Sequence, residues 1–296
     1  MTDTPEIFAD RLLGFSLPGR DARGRAVRLD AVVDEILGAH GYPAPVTHLL
    51  AEALVLAALM GALLKEEGAQ LTMQAQTQDG PVRLLVCDYR GGEMRGYADF
   101  DRDRLAQLGA NPSLPSLFGQ GFLAITFETG NRQRYQGIVP LEGHSLAAAC
   151  ETYFFQSEQI PTLLKVGIRA QGQSCVAGGV LLQHLPQGEV GRERLHARFD
   201  HPDWEHVAVL AGSLSHDELV DGGLSMEALV WRLFHEESEI RVDPGAALTK
   251  GCRCTVAHYK DVLARFPEDE RDAMRNDAGE IVVDCAFCSR EFIVDI

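Results

Sequence analysis

Two cysteine pairs constrain this chain more than any other feature. Cys252-Arg253-Cys254 and Cys285-Ala286-Phe287-Cys288 stand thirty residues apart near the C-terminus, whereas Cys87, Cys150 and Cys175 are scattered among apolar neighbours. Four soft thiolates in two local pairs match the tetrahedral four-sulfur preference of zinc, each pair supplying one edge of the tetrahedron. Four unrelated buried thiols are a poorer account, because chance rarely places two such pairs in one small unit. A disulfide framework is disfavoured by the odd total of seven cysteines and by a length of 296 residues, far above disulfide-stapled secreted domains. The set reads as closed and structural, since catalytic zinc keeps three protein ligands and an open position.

The unit that holds these pairs, residues 244–296, has few large apolar residues beyond Val256, Leu263, Phe266, Ile281, Phe287, Phe292 and Ile293. A unit of this size builds only a marginal core. Apparent zinc binding worth about 10 to 16 kcal/mol exceeds what that core supplies, so metal removal is expected to unfold it. Thiolates are also what peroxide and hypochlorite attack, and oxidised sulfur ligates zinc poorly. Each pair is close enough in sequence to exchange metal bonds for a disulfide, although a C-x-C ring is strained and readily reduced. The cluster therefore reads as an oxidation sensor.

Upstream, the pattern predicts an α+β domain over residues 1–186. Gly14–Pro18 reads as a strand, Gly19–Gly24 as a turn-rich stretch, and Asp30 as the cap of a helix to about His40. The apolar run Ala53–Leu64 lies in a helix, Val46–Glu66, too continuously apolar for a surface position and too short to span a bilayer. Alternation in 71–77 and 82–89 predicts a hairpin about Asp79-Gly80, with a further strand at 94–100. A second hairpin turns at Thr129-Gly130-Asn131. Ser145 caps a helix to about Glu158, and two more strands follow at 163–170 and 175–185.

Residues 187–243 carry thirteen acids, five Arg, no Lys and five of the ten histidines, yet keep two amphipathic helical patterns. One contains Trp204, Val207, Leu210 and Ala211; the other contains Leu229, Trp231 and Leu233. Helices of about three turns are marginal unless docked, so this linker needs outside support. His196, His201, His206, His216 and His235 match no ligand spacing and read as solvated surface. The formal charge of −16 opposes nucleic acid and anionic membrane as partners. The polar, acidic start disfavours a secretory signal and points to the cytoplasm. P-loop, dinucleotide, Gly-x-Ser-x-Gly and His-Glu-x-x-His patterns are absent, which suggests a non-enzyme that does not use ATP.

With these features in place, the chain resembles the thirty-three-kilodalton heat-shock chaperones, redox-regulated, ATP-independent holdases of bacteria. The resemblance rests on the two cysteine pairs with Gly279-Glu280-Ile281, on the stretch from Tyr153 to Thr162, on Ala177-Gly178-Gly179-Val180-Leu181-Leu182-Gln183, and on Trp231-Arg232-Leu233-Phe234-His235-Glu236-Glu237. It implies a core domain (1–186), a metastable helical linker folded over it (187–243) and a zinc switch (244–296). It further implies that Cys252, Cys254, Cys285 and Cys288 hold one Zn²⁺ per chain when reduced. On oxidation, disulfides Cys252–Cys254 and Cys285–Cys288 form, zinc is released, and the linker opens to capture unfolding client proteins as an active homodimer. The family usually has an aromatic residue before the first pair and Ser after it; here Lys250-Gly251 precede and Thr255 follows.

Two other classes fit the residues. A constitutive zinc-ribbon interaction module would recruit protein or nucleic acid, but ten acids against seven bases in 244–296 oppose the latter. A thiol oxidoreductase would place Cys285 at a helix N-terminus, whereas a strand-like run follows Cys288.

Overall fold

The computed structural model describes residues 9–131, 133–172, 174–185 and 198–296. The chain opens with β1 (Arg11–Leu17), β2 (Ala22–Leu29), α1 (Ala31–Leu37) and α2 (Ala44–Gly61). It continues through β3 (Gln70–Gln76), β4 (Val82–Arg90), β5 (Glu93–Phe100), α3 (Arg102–Ala106), α4 (Leu114–Phe118), β6 (Phe122–Glu128) and β7 (Arg134–Pro140). Helix α5 (Leu146–Tyr153) runs into a π-helical turn, Phe154–Glu158, then β8 (Thr162–Gln171) and β9 (Ser174–His184). Three helices follow, α6 (Pro202–Gly212), α7 (His216–Leu219) and α8 (Met226–Phe234). The C-terminal part holds β10 (Arg241–Ala247), β11 (Thr249–Lys250), α9 (Val256–Leu263), α10 (Glu268–Ala273), β12 (Ile281–Asp284) and β13 (Glu291–Val294).

Two sheets enclose α2. One has the order β10-β1-β2-β9-β8 and the other β11-β5-β4-β3-β6-β7; β12 and β13 form a separate hairpin. Helix α2 packs on strands of both large sheets, and its residues from Leu49 to Gly61 are buried on every side. That explains its unbroken apolar sequence and its end at Gly61, five residues before the expected one. By length and composition α2 could cross a membrane, but here it forms the centre of the core. Both predicted hairpins are present, β3 with β4 and β6 with β7. Ser145 caps α5 by accepting the Ala148 N–H. Asp30, by contrast, makes no side-chain cap on α1: the Asp10 carboxylate accepts the N–H groups of Asp30, Ala31 and Val32 instead.

The five-stranded sheet is apolar on both faces. Leu12, Val27, Leu29, Ala177 and Leu181 face α2, while Leu13, Phe15, Leu17, Ala22, Ala26, Val180 and Leu182 face outward. Helices α6, α7 and α8 cover that outer face with Val207, Ala211, Leu219, Leu229, Val230 and Phe234. The linker therefore finds its support on the core sheet rather than on the cysteine unit. No described hydrogen bond or ring contact joins α6–α8 to residues 252–296. Trp231, read from the sequence as part of the apolar stripe, points away and is 62% exposed.

Helix α7 is seated by residues whose role the sequence did not announce. Gly167 and Gly178 are register partners on β8 and β9. A Cβ at Gly167 would lie 2.6 Å from the His216 carbonyl oxygen, and one at Gly178 2.2 Å from that of Leu219. The glycine pair is a notch that admits helix backbone. Beside it, buried Arg28 donates to the carbonyls of Glu218, Leu219 and Leu224, satisfying acceptors that α7 leaves open at its end. Arg28 belongs to β2, a strand within and beyond the stretch expected to be turn.

A strap joins the two sheets. Strand β10 is exposed at every residue and, among the described residues, pairs only with β1, while β11 pairs in parallel with β5. Between them Leu248 is buried in the main core. The expected boundary between residues 243 and 244 falls inside β10, so the chain up to Lys250 is built into the core sheets.

Candidate metal centre

The four paired cysteines converge. Cys252 and Cys254 leave the end of β11, and Cys285 and Cys288 sit in the turn between β12 and β13. Their sulfurs all lie within 4.8 Å of one another, with Cys252 Sγ 3.1 Å from Cys254 Sγ and 3.4 Å from Cys285 Sγ, and Cys254 Sγ 3.5 Å from Cys288 Sγ. A tetrahedron with metal–sulfur bonds of about 2.3 Å has edges of about 3.8 Å, so these separations bracket a metal-holding set. All four are free thiols. Among the described residues this is the one such cluster of His, Cys, Asp and Glu.

Local geometry prepares the donors. The turn after Cys285 folds back so that Cys288 and Ser289 N–H groups donate to the Cys285 carbonyl, at 3.3 and 2.8 Å, with Ser289 at φ +53°. Burial pushes the Cys285 thiol up, but backbone N–H groups of Phe287 and Cys288 and the Tyr259 hydroxyl outweigh it and bring it down to about 6. Burial among neighbouring sulfurs raises Cys252 and Cys254. Four sulfurs this close together could hold a metal ion, which would satisfy all of them at once.

Little else holds this unit. Its own buried apolar core is Leu263, Ile281 and Val294, flanked by partly buried Tyr259, Val283, Phe292 and Ile296. It rests on the outer, polar face of the six-stranded sheet. Arg95 lies 4.1 Å over the Phe287 ring, Tyr97 meets the same ring edge-on at 6.4 Å, and Ser289 Oγ is 2.9 Å from His40 Nδ1. Arg253 reaches Gln70, and Lys250 Nζ donates to the Glu35 carbonyl at 2.7 Å.

The two departures beside the first pair have structural reasons. A Cβ at Gly251 would meet Glu93 Cβ at 2.5 Å, so glycine lets the strap lie against β5. Thr255 accepts the His258 N–H and caps α9, as a serine would. The other three cysteines are buried in the core, and burial raises all three thiols. Of the linker histidines, His196 lies outside the described residues. His206 is not merely solvated: its Nε2 is 2.7 Å from Glu237 Oε1.

The family model described as Hsp33 protein matches residues 10–295. A 33 kDa chaperonin of Caulobacter vibrioides is 38% identical over 298 residues, covering 98% of this chain and 96% of its own. One from Escherichia coli strain K12 is 34% identical over 285 residues, covering 96% and 91%. The crystal structure of the 33 kDa chaperonin from Thermotoga maritima has the same fold, with a TM-score of 0.77 over 96% of this chain and 94% of that one at 21% identity. On its sequence and its fold alike, this chain belongs to the Hsp33 family.

Proposed function

We propose that the protein is an ATP-independent holdase chaperone, held inactive when reduced and metal-bound and switched on by oxidation. The observation that carries this reading is the gathering of four cysteine sulfurs in a unit with only three buried apolar residues of its own. Cys252, Cys254, Cys285 and Cys288 would hold one zinc ion, which supplies the cross-link that so small a core lacks. The names of the relatives, 33 kDa chaperonin, support unfolding proteins as the partners.

Oxidation pairs Cys252 with Cys254 and Cys285 with Cys288. Each pair of thiolates gives up two electrons to a peroxide, which takes two protons from solvent and is reduced to two waters as the sulfur–sulfur bond forms. The sulfurs are then no longer donors, and three buried residues are left to hold the unit. Because no described hydrogen bond or ring contact joins α6–α8 to it, the strap is the route for the signal: β11 leaves β5, Leu248 leaves the core, and β10 loosens from β1. Helix α8 lies directly upstream. Its release with α6 and α7 would uncover Leu13, Phe15 and Leu17 on the sheet and Val207, Leu229 and Phe234 on the linker, an apolar surface suited to unfolded chains. The active form is a homodimer, and its setting is the cytoplasm.

The test is aggregation of a denatured client with the full chain, reduced and zinc-loaded, against the same chain treated with peroxide at raised temperature. Released zinc is followed with a chromogenic chelator. Suppression should appear together with zinc release; release without suppression would sink the switch and leave the metal site standing.

A further inference from the structure

The margin of the five-stranded sheet at β8 lies apart from the cysteine site. Strand β8 is outermost on the side opposite β10, and among the described residues no strand pairs with its outer side. Two hydrogen bonds fix which backbone groups point outward. Leu164 N–H donates to Glu151 Oε1 at 2.7 Å, away from β9. Cys175, the partner of Ala170, donates to Asp34 Oδ1 at 2.6 Å, away from β8. Backbone direction alternates along an antiparallel strand, so Val166, Ile168 and Ala170 also turn N–H and C=O outward. Among the described residues none of these groups has a hydrogen-bond partner. From Val166 to Ala170 they form a ladder of about 13 Å.

That ladder borders a cleft of about 810 Å³, walled on its far side by the first turns of α2 and by the residues that open α4 and α5. Side chains divide by parity. Leu164, Val166 and Ile168 pack with the main core, whereas Lys165 and Arg169 share the side of Gly167, where α7 lies. The cleft also carries His48, His144 and His216. Its single acid, Glu52, is buried and accepts the Ala147 N–H at 2.9 Å. Lys165 and Arg169, whose Nη2 also donates to the Val220 carbonyl at 2.8 Å, are the cleft's permanent positive charges in a chain of net charge −16. An inorganic anion would leave the backbone ladder unused, and nucleic acid is repelled by the charge of the whole chain.

We propose that an extended acidic peptide segment of a partner protein adds to β8 as a sixth strand. Strand addition uses main-chain hydrogen bonds for affinity and alternate side chains for specificity. The segment alternates apolar residues, turned to the wall of Leu49 and Leu117, with acidic ones turned to Lys165, Arg169 and His216. The reduced chain with its linker docked is the binding form, so this inference stands apart from the chaperone reading.

The probe is a fluorescein-labelled hexapeptide, Glu-Val repeated three times and blocked at its C-terminus, titrated with the reduced, zinc-loaded full chain and read by fluorescence anisotropy. Saturable binding is expected. It should weaken at least tenfold for the Lys-Val counterpart, for a peptide N-methylated at every second residue, and for the double variant Lys165→Gln, Arg169→Gln. Arg169 also donates to the Val220 carbonyl at 2.8 Å, so hydrogen exchange over α7 and circular dichroism both check that the variant keeps the parent fold with its linker docked. Absence of saturable binding overturns the proposal. So does binding unaffected by N-methylation, which would make the cleft a charge site only. Peptide-induced dissociation of a dimer in sedimentation would assign the edge to a second copy of this chain and likewise overturn it.

Discussion

Arg20 Nε lies 2.8 Å from Glu237 Oε2, and Nη1 of the same guanidinium lies 2.7 Å from Asp203 Oδ1. One side chain from the β1–β2 turn thus holds together the first turn of α6 and the segment that follows α8. The Glu237 side chain is only 7% exposed and is also bonded by His206. Burial opposes its ionisation, but the Arg20 and His206 hydrogen bonds prevail and hold its carboxyl below the usual range. Arg20→Gln should destabilise linker docking by about 1–2 kcal/mol, a charged hydrogen bond discounted for partial exposure. Hydrogen exchange in α6 and α8 should speed up several-fold in the reduced protein while β3 to β7 stay protected.

Gly178→Ala should act on the linker without touching a cysteine. The new Cβ would press on backbone of α7, which has no flexible end to yield, at a cost of about 1–3 kcal/mol. Reduced, zinc-loaded variant should lose protection over 216–234 and suppress client aggregation without oxidant. Unchanged zinc content with suppression still strictly dependent on peroxide would refute docking as the restraint.

Leu248→Ala tests the strap. The side chain is buried where the chain crosses between sheets, and its truncation should cost about 2–5 kcal/mol. Less oxidant or a lower temperature should then suffice for activation, measured as the peroxide dose for half-maximal suppression. A dose equal to that of the parent would mean that the signal bypasses residues 241–251.

Chelation separates the units. In the reduced chain, a strong zinc chelator should abolish exchange protection in 252–296 and leave α2 and β9 protected, because the former has only three buried apolar residues in a core of its own. Cys285→Ser should lower bound zinc below one per chain; if it stays stoichiometric, the ligand set is wrong.

Glu52 predicts a pH dependence. Burial raises its carboxyl from 4.5 to about 7, even though N–H groups of Ala147 and Leu146 favour the ionised form. The folded state therefore binds the proton more tightly than the unfolded chain. Its contribution to stability is fully present below about 4.5 and is lost as pH rises through about 7, on the order of 3 kcal/mol in all. Glu52→Gln should flatten that decline between pH 5 and 8 in denaturant titrations of the reduced protein. A slope equal to the parent's would exclude Glu52 as its source.

The legible parts of the sequence were those with an undivided signal. Alternation at 71–77, the hairpin turns and the Ser145 cap each follow from one local rule and are formed as expected, and the two cysteine pairs, set by another, lie together. Strand β2 was hidden because Arg23, Arg25 and Arg28 make Ala22–Leu29 look polar, whereas Arg28 is buried against the carbonyls around α7. Strand β10 was hidden because Pro244 and Gly245 break its pattern; an exposed edge strand tolerates both. The seat of the linker was out of reach for a different reason. The outward residues of β9 look like any buried strand, and only the sheet's order reveals that both its faces need covering.

Among the described residues, strand β10 pairs with a single neighbour, and it buries none of its residues. It can therefore lift off as a flap with no hole left in the hydrophobic interior. What it would bare is β1 along its whole length, a row of amide donors and carbonyl acceptors bordering Leu13, Phe15 and Leu17. Such a rim is the raw material of aggregation in most proteins. Here the detachment of one exposed segment would uncover the stickiest line on the molecule.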